Sequence, residues 1–174
     1  SIHAQNSFNK EELAIMHQAT HTLRTLLVTN KADSITLRKK STLINPKDHN
    51  INALWKLMLN TVNDPSNQGV GIAAPQIGIN KQIILVQRFD KAHQPFELKL
   101  NPKIIWTSNL IQTGREGCLS IPDTMGMVDR HYALKIIYQN TTGKWIEEVV
   151  EAFTAVILQH EIDHLNGILF TDRL

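Results

Sequence analysis

The sequence predicts an α+β fold with antiparallel sheet. Segments with strand character lie mostly between segments with helix character, without the regular strand–helix alternation that builds a parallel sheet. The turn-forming residues 140–143 separate two strand-like runs, as in a β-hairpin. With 174 residues, the chain has about the length of one domain and can bury a full hydrophobic core.

Composition narrows the classes of protein to which the chain can belong. Apolar residues make up 42% and charged residues 20%, as in ordinary globular proteins. The net charge of +2 does not indicate a nucleic-acid surface, and the apolar runs are too short to span a membrane. Cys118 is the single cysteine, which excludes an internal disulfide and fits a reducing compartment. We expect a cytoplasmic protein; because the chain starts at Ser1 rather than Met, an organellar or exported form stays open.

Two N-terminal segments have apolar residues at helical spacing. The first, residues 9–28, predicts an amphipathic helix that ends near Asn30. Residues 31–47 are polar and basic, and we predict an extended connection there. A second helix is predicted from Asp48, as N-cap, to Asn63.

The middle of the chain is rich in β-branched and aromatic residues. It predicts strands at 82–88, at 96–100 and 104–106 around Asn101-Pro102, at 133–139, and at 144–150. The last two of these form the hairpin.

A final helix is predicted from Glu151 to Asn166, with Gly167 as the residue that ends it. One face carries residues at three- and four-residue spacing that should pack on the core: Ala155, Leu158, Ile162, Leu165 and Leu169. The adjoining face carries Phe153, Val156, Ile157, His160 and His164. A site on this second face would therefore have an apolar wall.

The final helix contains the pattern His-Glu-x-x-His. His160 and His164 are four residues apart and share one helix face, so both imidazoles can reach one metal ion. Glu161 follows the first histidine and can direct a carboxylate at a water molecule on that ion. The alternative is a chance pair of histidines on a helix.

A catalytic metal site needs a third protein ligand and an open position. Cys118, in the segment Glu116–Ser120, is the candidate, because Gly117 permits a close backbone approach. Thiolate and imidazole ligands suit Zn²⁺ or Fe²⁺. A buried, unreactive thiol is the alternative.

Residues 69–78 form a second unusual segment. Its glycines resemble a dinucleotide-binding loop, but it follows a helix rather than a strand, and Ala74 replaces the third glycine. We reject that interpretation. Gln76 offers an amide that can stabilise an oxyanion, or it is a surface residue beside a tight packing corner.

Taken together, three segments resemble the signature motifs of peptide deformylases. They are Gly69–Gln76, Glu116–Ser120 and Gln159–His164, in the order and with the spacing of that family. The resemblance covers about residues 34–174, which we expect to be a single catalytic domain with antiparallel sheets packed around a central metal-binding helix. Residues 1–33 are then an N-terminal helical extension.

The resemblance implies a metal-dependent hydrolase that removes the formyl group from N-formylmethionyl peptides of nascent proteins and releases formate. It implies that Cys118, His160 and His164 hold the metal, and that a metal-bound hydroxide attacks the formyl carbon. Glu161 is then the general base and acid, and Gln76 with the Leu119 N–H meets the oxyanion. The substrate positions that it implies are Gly71, Glu116 (a carboxylate behind the ligands), Arg130 (at the entrance), and Val156 with Ile157 (around the methionine side chain).

The family resemblance also implies the cofactor and the partners. We expect one divalent ion, Fe²⁺ in the cell, with Zn²⁺, Ni²⁺ or Co²⁺ in purified protein. Some family members contact the ribosome through a helix that lies beyond the position of Leu174, so we expect a transient ribosome contact at most. The chain departs from many relatives at Arg115 and at Met125–Met127, close to the expected pocket rim.

Three other functions compete with this one. A zinc peptidase shares the two histidines, but its third ligand lies downstream, where this chain has no His or Glu. A structural metal site would want a fourth protein ligand. A cysteine hydrolase built on Cys118 and His160 would leave Glu161 without a role.

Overall fold

The computed structural model describes residues 6–174 and shows the predicted α+β fold. In this part of the chain, the α-helices are α1 (Lys10–Gln18), α2 (Lys31–Leu37), α3 (Ile51–Asn63) and α4 (Ala152–Leu165). The strands are β1 (Gly71–Ala73), β2 (Ile83–Gln87), β3 (Phe96–Thr107), β4 (Ile111–Cys118), β5 (Ile121–His131), β6 (Ala133–Gln139) and β7 (Trp145–Glu151). Short 3₁₀ helices span Ala74–Ile77 and Phe170–Arg173. None of the helices described here has the length and apolar character to cross a membrane.

All strand pairs in the two sheets are antiparallel. The larger sheet has the order β1-β2-β3-β6-β7, and β4 pairs with β5 in a separate two-stranded sheet. The predicted hairpin is confirmed, with Gln139 opposite Trp145 and Gly143 in the left-handed conformation that its turn requires. The sheet therefore brings β1, at one edge, next to the helix that carries the histidine pair.

The larger sheet separates two hydrophobic layers. In β2, Ile83 and Leu85 pack with α1 and α3, whereas Ile84 and Val86 face α4. Successive side chains of a strand point to opposite faces, so a strand that is apolar throughout must be covered on both. Helix α4 is thus buried against the sheet, and its predicted core face is confirmed for Ala155, Leu158, Ile162 and Leu165. Leu169 was wrongly included, because it lies beyond the end of the helix and packs in a separate cluster with Phe170.

One long strand replaces the two that we predicted at 96–100 and 104–106. Asn101 has φ of 50° and sits at a register shift between β3 and β6, which is a β-bulge. Its side chain accepts a hydrogen bond from the Ile44 amide and donates to the Ile44 carbonyl and to Gln139. These bonds hold the bend, so the strand continues past Pro102.

The predicted helix over 9–28 is wrong in its second half. Helix α1 ends at Gln18, and residues 19–28 run extended along the molecule. The amide of Leu23 donates to Thr61 Oγ1, that of Leu26 to the Gln76 carbonyl, and that of Val28 to the Ser120 carbonyl. Leu23 and Leu26 are both buried, although they do not lie in a helix. Their three-residue spacing therefore does not indicate helical structure here.

The predicted extended connection at 31–47 is also wrong, because it begins with helix α2. Asn30 caps this helix by accepting hydrogen bonds from the amides of Ala32 and Asp33. Asp33 is buried and accepts a bidentate ion pair from Arg24. Asn30 is a preferred N-cap residue and could have indicated this helix, but the polar composition of the segment favoured an extended connection.

Sequence periodicity did not predict the β4–β5 hairpin. Its strands mix glycine with charged residues, and only one side is covered, by residues around Leu169 and Phe170. The turn at 119–120 places Cys118 opposite Ile121. This hairpin carries the segment Glu116–Ser120 to the histidine pair.

Residues of the predicted N-terminal extension pack in the same hydrophobic cluster as helix α3, although we predicted a boundary after residue 33. Met16 is 5% exposed and packs in the layer that contains α3.

We predict that Met16→Ala lowers the melting temperature by roughly 5–15 °C, since losing a buried methionine costs about 2–5 kcal/mol. The exposed neighbour His17→Ala is the control. Equal melting temperatures for the two variants would show that the segment is a dispensable extension.

Candidate metal and catalytic site

The three predicted metal ligands come together in the structure. Cys118 at the end of β4 and two histidines of α4 place one ligand atom each within 4.8 Å of one another. The Cys118 Sγ and His164 Nε2 atoms are 3.3 Å apart. Within residues 6–174, this group consists of Cys118, His160 and His164, and no further residue joins it.

Glu116 orients the first histidine. Its Oε2 lies 2.9 Å from His160 Nδ1, which therefore carries the hydrogen and leaves Nε2 free for a ligand. Both Glu116 oxygens also accept hydrogen bonds from Arg130, at 2.8 and 2.9 Å. Burial alone raises the pKa of Glu116, but hydrogen bonds from Arg130 and His160 outweigh it and hold the pKa at about 2. The carboxylate is thus fixed and ionised.

The two histidines differ in their readiness to bind a cation. Burial lowers the pKa of His164 well below its usual value, so that its ring is neutral. Burial also lowers the pKa of His160, but hydrogen bonds to Cys118 and Glu116 outweigh it and raise the pKa to about 10. A metal ion must therefore displace a proton when it binds here, since ligands coordinate in their deprotonated forms.

Glu161 is a buried carboxylate with an unpaired oxygen. It is 4% exposed, and no hydrogen bond reaches its Oε2 atom. Burial raises the pKa of Glu161 to about 7. Gly71 makes room for it, because a Cβ there would lie 2.6 Å from Glu161 Oε1 and 2.9 Å from Ile157. An unpaired buried carboxylate is costly and indicates a missing partner.

Gln76, in the 3₁₀ helix that follows β1, faces the Cys118 sulfur atom. Its Oε1 accepts a hydrogen bond from the Ala73 amide at 2.9 Å, which fixes the orientation of the amide group. Its Nε2 then points at Cys118 Sγ, 3.5 Å away, and at Ser120 Oγ, 3.3 Å away. Gln76 is 2% exposed, so it is not the surface residue of the alternative interpretation.

A cavity of about 420 Å³ opens onto these groups. Its walls include the predicted apolar residues of α4, Val156 and Ile157, together with Leu119 and Gly71. Phe153 and Met125 are half-exposed at its rim, and Arg115 also lines it. The mixture of apolar walls and a few polar groups is typical of a small-molecule or peptide pocket.

The predicted position of Arg130 at the substrate entrance is wrong. Arg130 is 3% exposed and does not line the cavity. It lies behind the ligands, where it bonds Glu116 and donates to Asp163 at 2.6 Å. Asp163 in turn accepts two hydrogen bonds from Arg173, both 2.6 Å. An arginine that is needed to neutralise two buried carboxylates cannot also reach the solvent.

Sequence reasoning gave no role to two further residues of these motifs. Asp163 lies one helical turn after His160 and links Arg130 to Arg173. Gln159 accepts a hydrogen bond from the His131 amide and donates to the His131 carbonyl, which ties α4 to the end of β5. The motif Gln-His-Glu-x-Asp-His contains both signals, since each of these polar residues lies on a helix in which 10 of 14 residues are buried.

The donor set fits one divalent ion. A tetrahedral ion with sulfur at about 2.3 Å and nitrogen at about 2.0–2.1 Å places neighbouring ligands roughly 3.5 Å apart. The 3.3 Å between Cys118 Sγ and His164 Nε2 is of this size, and without an ion the pair makes only a weak contact. Three protein ligands leave one position open, as catalytic rather than structural sites do.

Comparison with known proteins gives one consistent result. The family model described as polypeptide deformylase matches residues 25–174. A peptide deformylase from a Synechocystis species is 40% identical over 139 residues, which are 79% of this chain and 73% of that protein. The crystal structure of the Thermotoga maritima peptide deformylase superposes with a TM-score of 0.79 at 32% identity, covering 88% of this chain and 98% of that one. A Met-Ala-Ser-bound class I type b peptide deformylase from Acinetobacter baumannii gives 0.77 at 34% identity, covering 90% and 100%.

Loss of the Glu116 charge should weaken metal binding. Glu116→Gln leaves the His160 ring poorly oriented and Arg130 without its charge partner, so we predict a loss of about 10–100-fold in Zn²⁺ affinity in a chelator competition titration. Glu97→Gln, which alters a carboxylate in a separate ion-pair cluster with Arg88 and Lys99, is the matched control. Equal Zn²⁺ affinities for both variants would contradict the role of Glu116.

Proposed function

The chain belongs to the polypeptide deformylase family, and we propose that its pocket hydrolyses the N-formyl group of N-formylmethionyl peptides with the residues described above. The family acts on formylated nascent peptides and depends on a metal ion. The observation that carries the proposal is the unpaired Glu161 carboxylate, buried beside three convergent metal ligands in a cavity with apolar walls.

Cys118, His160 and His164 would hold the ion. When bound, a divalent ion supplies a Lewis acid and lowers the pKa of a water molecule. The remaining chemistry falls to side chains of this chain, which must move a proton, stabilise a developing negative charge and hold the peptide.

Glu161 has the position and the protonation behaviour of a general base and acid. Glu161 lines the cavity, and a pKa near neutrality lets a carboxylate both accept and return a proton. It takes the proton of the attacking water and delivers it to the nitrogen of the departing amine. Formate and a peptide with a free N-terminal methionine are then the products.

Gln76 and the Leu119 amide are the proposed donors to the oxyanion. The Gln76 amide is fixed by its bond from Ala73 and directed at Cys118, so its N–H groups need no reorganisation during the reaction. Leu119 follows Cys118 directly and lines the cavity. Both donors therefore lie at the end of the cavity where the ligands converge.

Val156 and Ile157 are the proposed contacts of the methionine side chain. They lie one helical turn before His160, on the cavity wall. Gly71, in the edge strand β1, has free backbone groups on the side away from β2 and can pair with an extended peptide. The related Acinetobacter baumannii structure is described as bound to Met-Ala-Ser, which supports a peptide in this position.

We also propose Fe²⁺ as the ion in the cell, with Zn²⁺, Ni²⁺ or Co²⁺ able to replace it in purified protein. The soft thiolate and the two imidazoles accept any of them. We also propose action in the cytoplasm, a reducing compartment in which a single free cysteine stays available as a ligand. Contact with the ribosome is proposed to be transient, and we propose no nucleic-acid or membrane partner.

The test of this function is formate release from a formyl-Met tripeptide by Fe²⁺-loaded protein prepared without oxygen. We predict that Glu161→Gln retains the metal, measured by elemental analysis, and loses at least 100-fold in kcat, because general acid–base catalysis contributes about 10²–10⁴-fold. Glu151→Gln, at the exposed N-cap of the same helix, is the control.

Unchanged formate release by the Glu161 variant would contradict the proposed base. It would favour a hydrolase in which Cys118 is the nucleophile. Absence of formate release by the metal-loaded parent protein would contradict the function itself.

A further inference from the structure

Arg115 is a cation at the cavity rim whose side chain has no partner among the described residues. It lies in β4 opposite Met127, its side chain is exposed, and it lines the cavity. No hydrogen bond or ion pair with another residue of 6–174 engages its guanidinium. The Arg115 charge is therefore free to meet a charged group of a ligand at the rim.

The two carboxylates that line the cavity together with Arg115 are not available to it. Glu116 follows it directly but is buried and bonded to Arg130 and His160. Glu161 is buried at the inner end of the cavity. The other outer lining residues, among them Asn67, Gln68 and Met125, carry no charge. In the described part of the chain, the rim is therefore positive at one point and otherwise neutral.

Two segments of the chain line the cavity, residues 67–71 and residues 115–119. The second segment belongs largely to strand β4, in which Arg115 and Cys118 are three residues apart, so roughly 10 Å of strand separates them. An extended peptide covers the same distance in about three residues.

A formylated peptide that reacts beside Cys118 and Glu161 and runs outward along β4 brings its third and following residues towards Arg115. The Arg115 side chain is long and exposed, so it can meet the side chains of the third, fourth and fifth residues of such a peptide.

We propose that Arg115 is a specificity residue, which favours formylated peptides with an acidic side chain at the third to fifth position over peptides with a basic one. This inference rests on the proposed function. Exposed ion pairs are weak, so attraction of Asp and repulsion of Lys together should give a preference of about 3–10-fold. The preference should appear in KM rather than kcat, because the rim contact is the same before and during the reaction.

The experiment uses metal-loaded protein and formyl-Met-Ala-Ser-Ser-Ser, in which a single serine is replaced by Asp or by Lys at position three, four or five. For the parent protein we expect kcat/KM to be about 3–10-fold higher with Asp than with Lys at the best position. The ratio should fall to about one in Arg115→Gln, invert in Arg115→Glu and persist in Arg115→Lys. High salt should reduce it in the parent protein, because exposed charges are screened.

Lys144→Glu is the matched control, since it makes the same change in charge at an exposed residue that does not line the cavity. It should keep the parental ratio. The inference would be overturned if the Asp-to-Lys ratio of kcat/KM were near one in the parent protein, or if Arg115→Glu did not change it. Hydrolysis of the all-serine peptide would still support the proposed function in that case. No hydrolysis of the all-serine peptide would overturn both.

Discussion

The burial of helix α4 is the constraint on which the rest of the structure depends. Both faces of this helix are covered, yet it carries Gln159, His160, Glu161, Asp163 and His164. Buried polar groups without partners cost free energy, and the surrounding strands supply partners for Gln159, His160 and Asp163. Most of the long-range hydrogen bonds behind the site follow from this requirement.

The partners form a connected set of charges. Glu116 bonds both His160 and Arg130, and Asp163 bonds both Arg130 and Arg173, so two buried carboxylates are matched by cations. A buried ion pair contributes little net stability, but removal of one member leaves an uncompensated charge. The set therefore fixes the geometry of His160 more than it stabilises the fold. What remains unpaired is the Glu161 Oε2 atom and the His164 Nδ1 atom, at the site itself.

The sequence predicted the parts of this account that depend on local spacing. The pattern of His160, Glu161 and His164, the apolar wall at Val156 and Ile157, and the 133–150 hairpin all follow from helix or strand periodicity. The meeting of Cys118 with the histidines was inferred from the motifs, because the 41 residues between Cys118 and His160 carry no local signal of proximity.

Other features depend on long-range contacts that no local pattern encodes. Leucines 23 and 26 have helical spacing, but their amides bond to Thr61 and Gln76, so the segment is extended. Arg130 resembles an entrance residue by motif, whereas the buried charges of Glu116 and Asp163 hold it inside. The β4–β5 hairpin has too few apolar residues to be recognised before its partners are known.

The proposed chemistry depends on Cys118, His160 and His164 holding one divalent ion together. X-ray absorption spectroscopy of the protein loaded with one equivalent of Zn²⁺ would report these ligands. We predict one sulfur ligand at about 2.3 Å and two imidazole nitrogens at about 2.0–2.1 Å, with the sulfur signal lost in Cys118→Ser. A spectrum without sulfur, or one with three or more imidazoles, would contradict it.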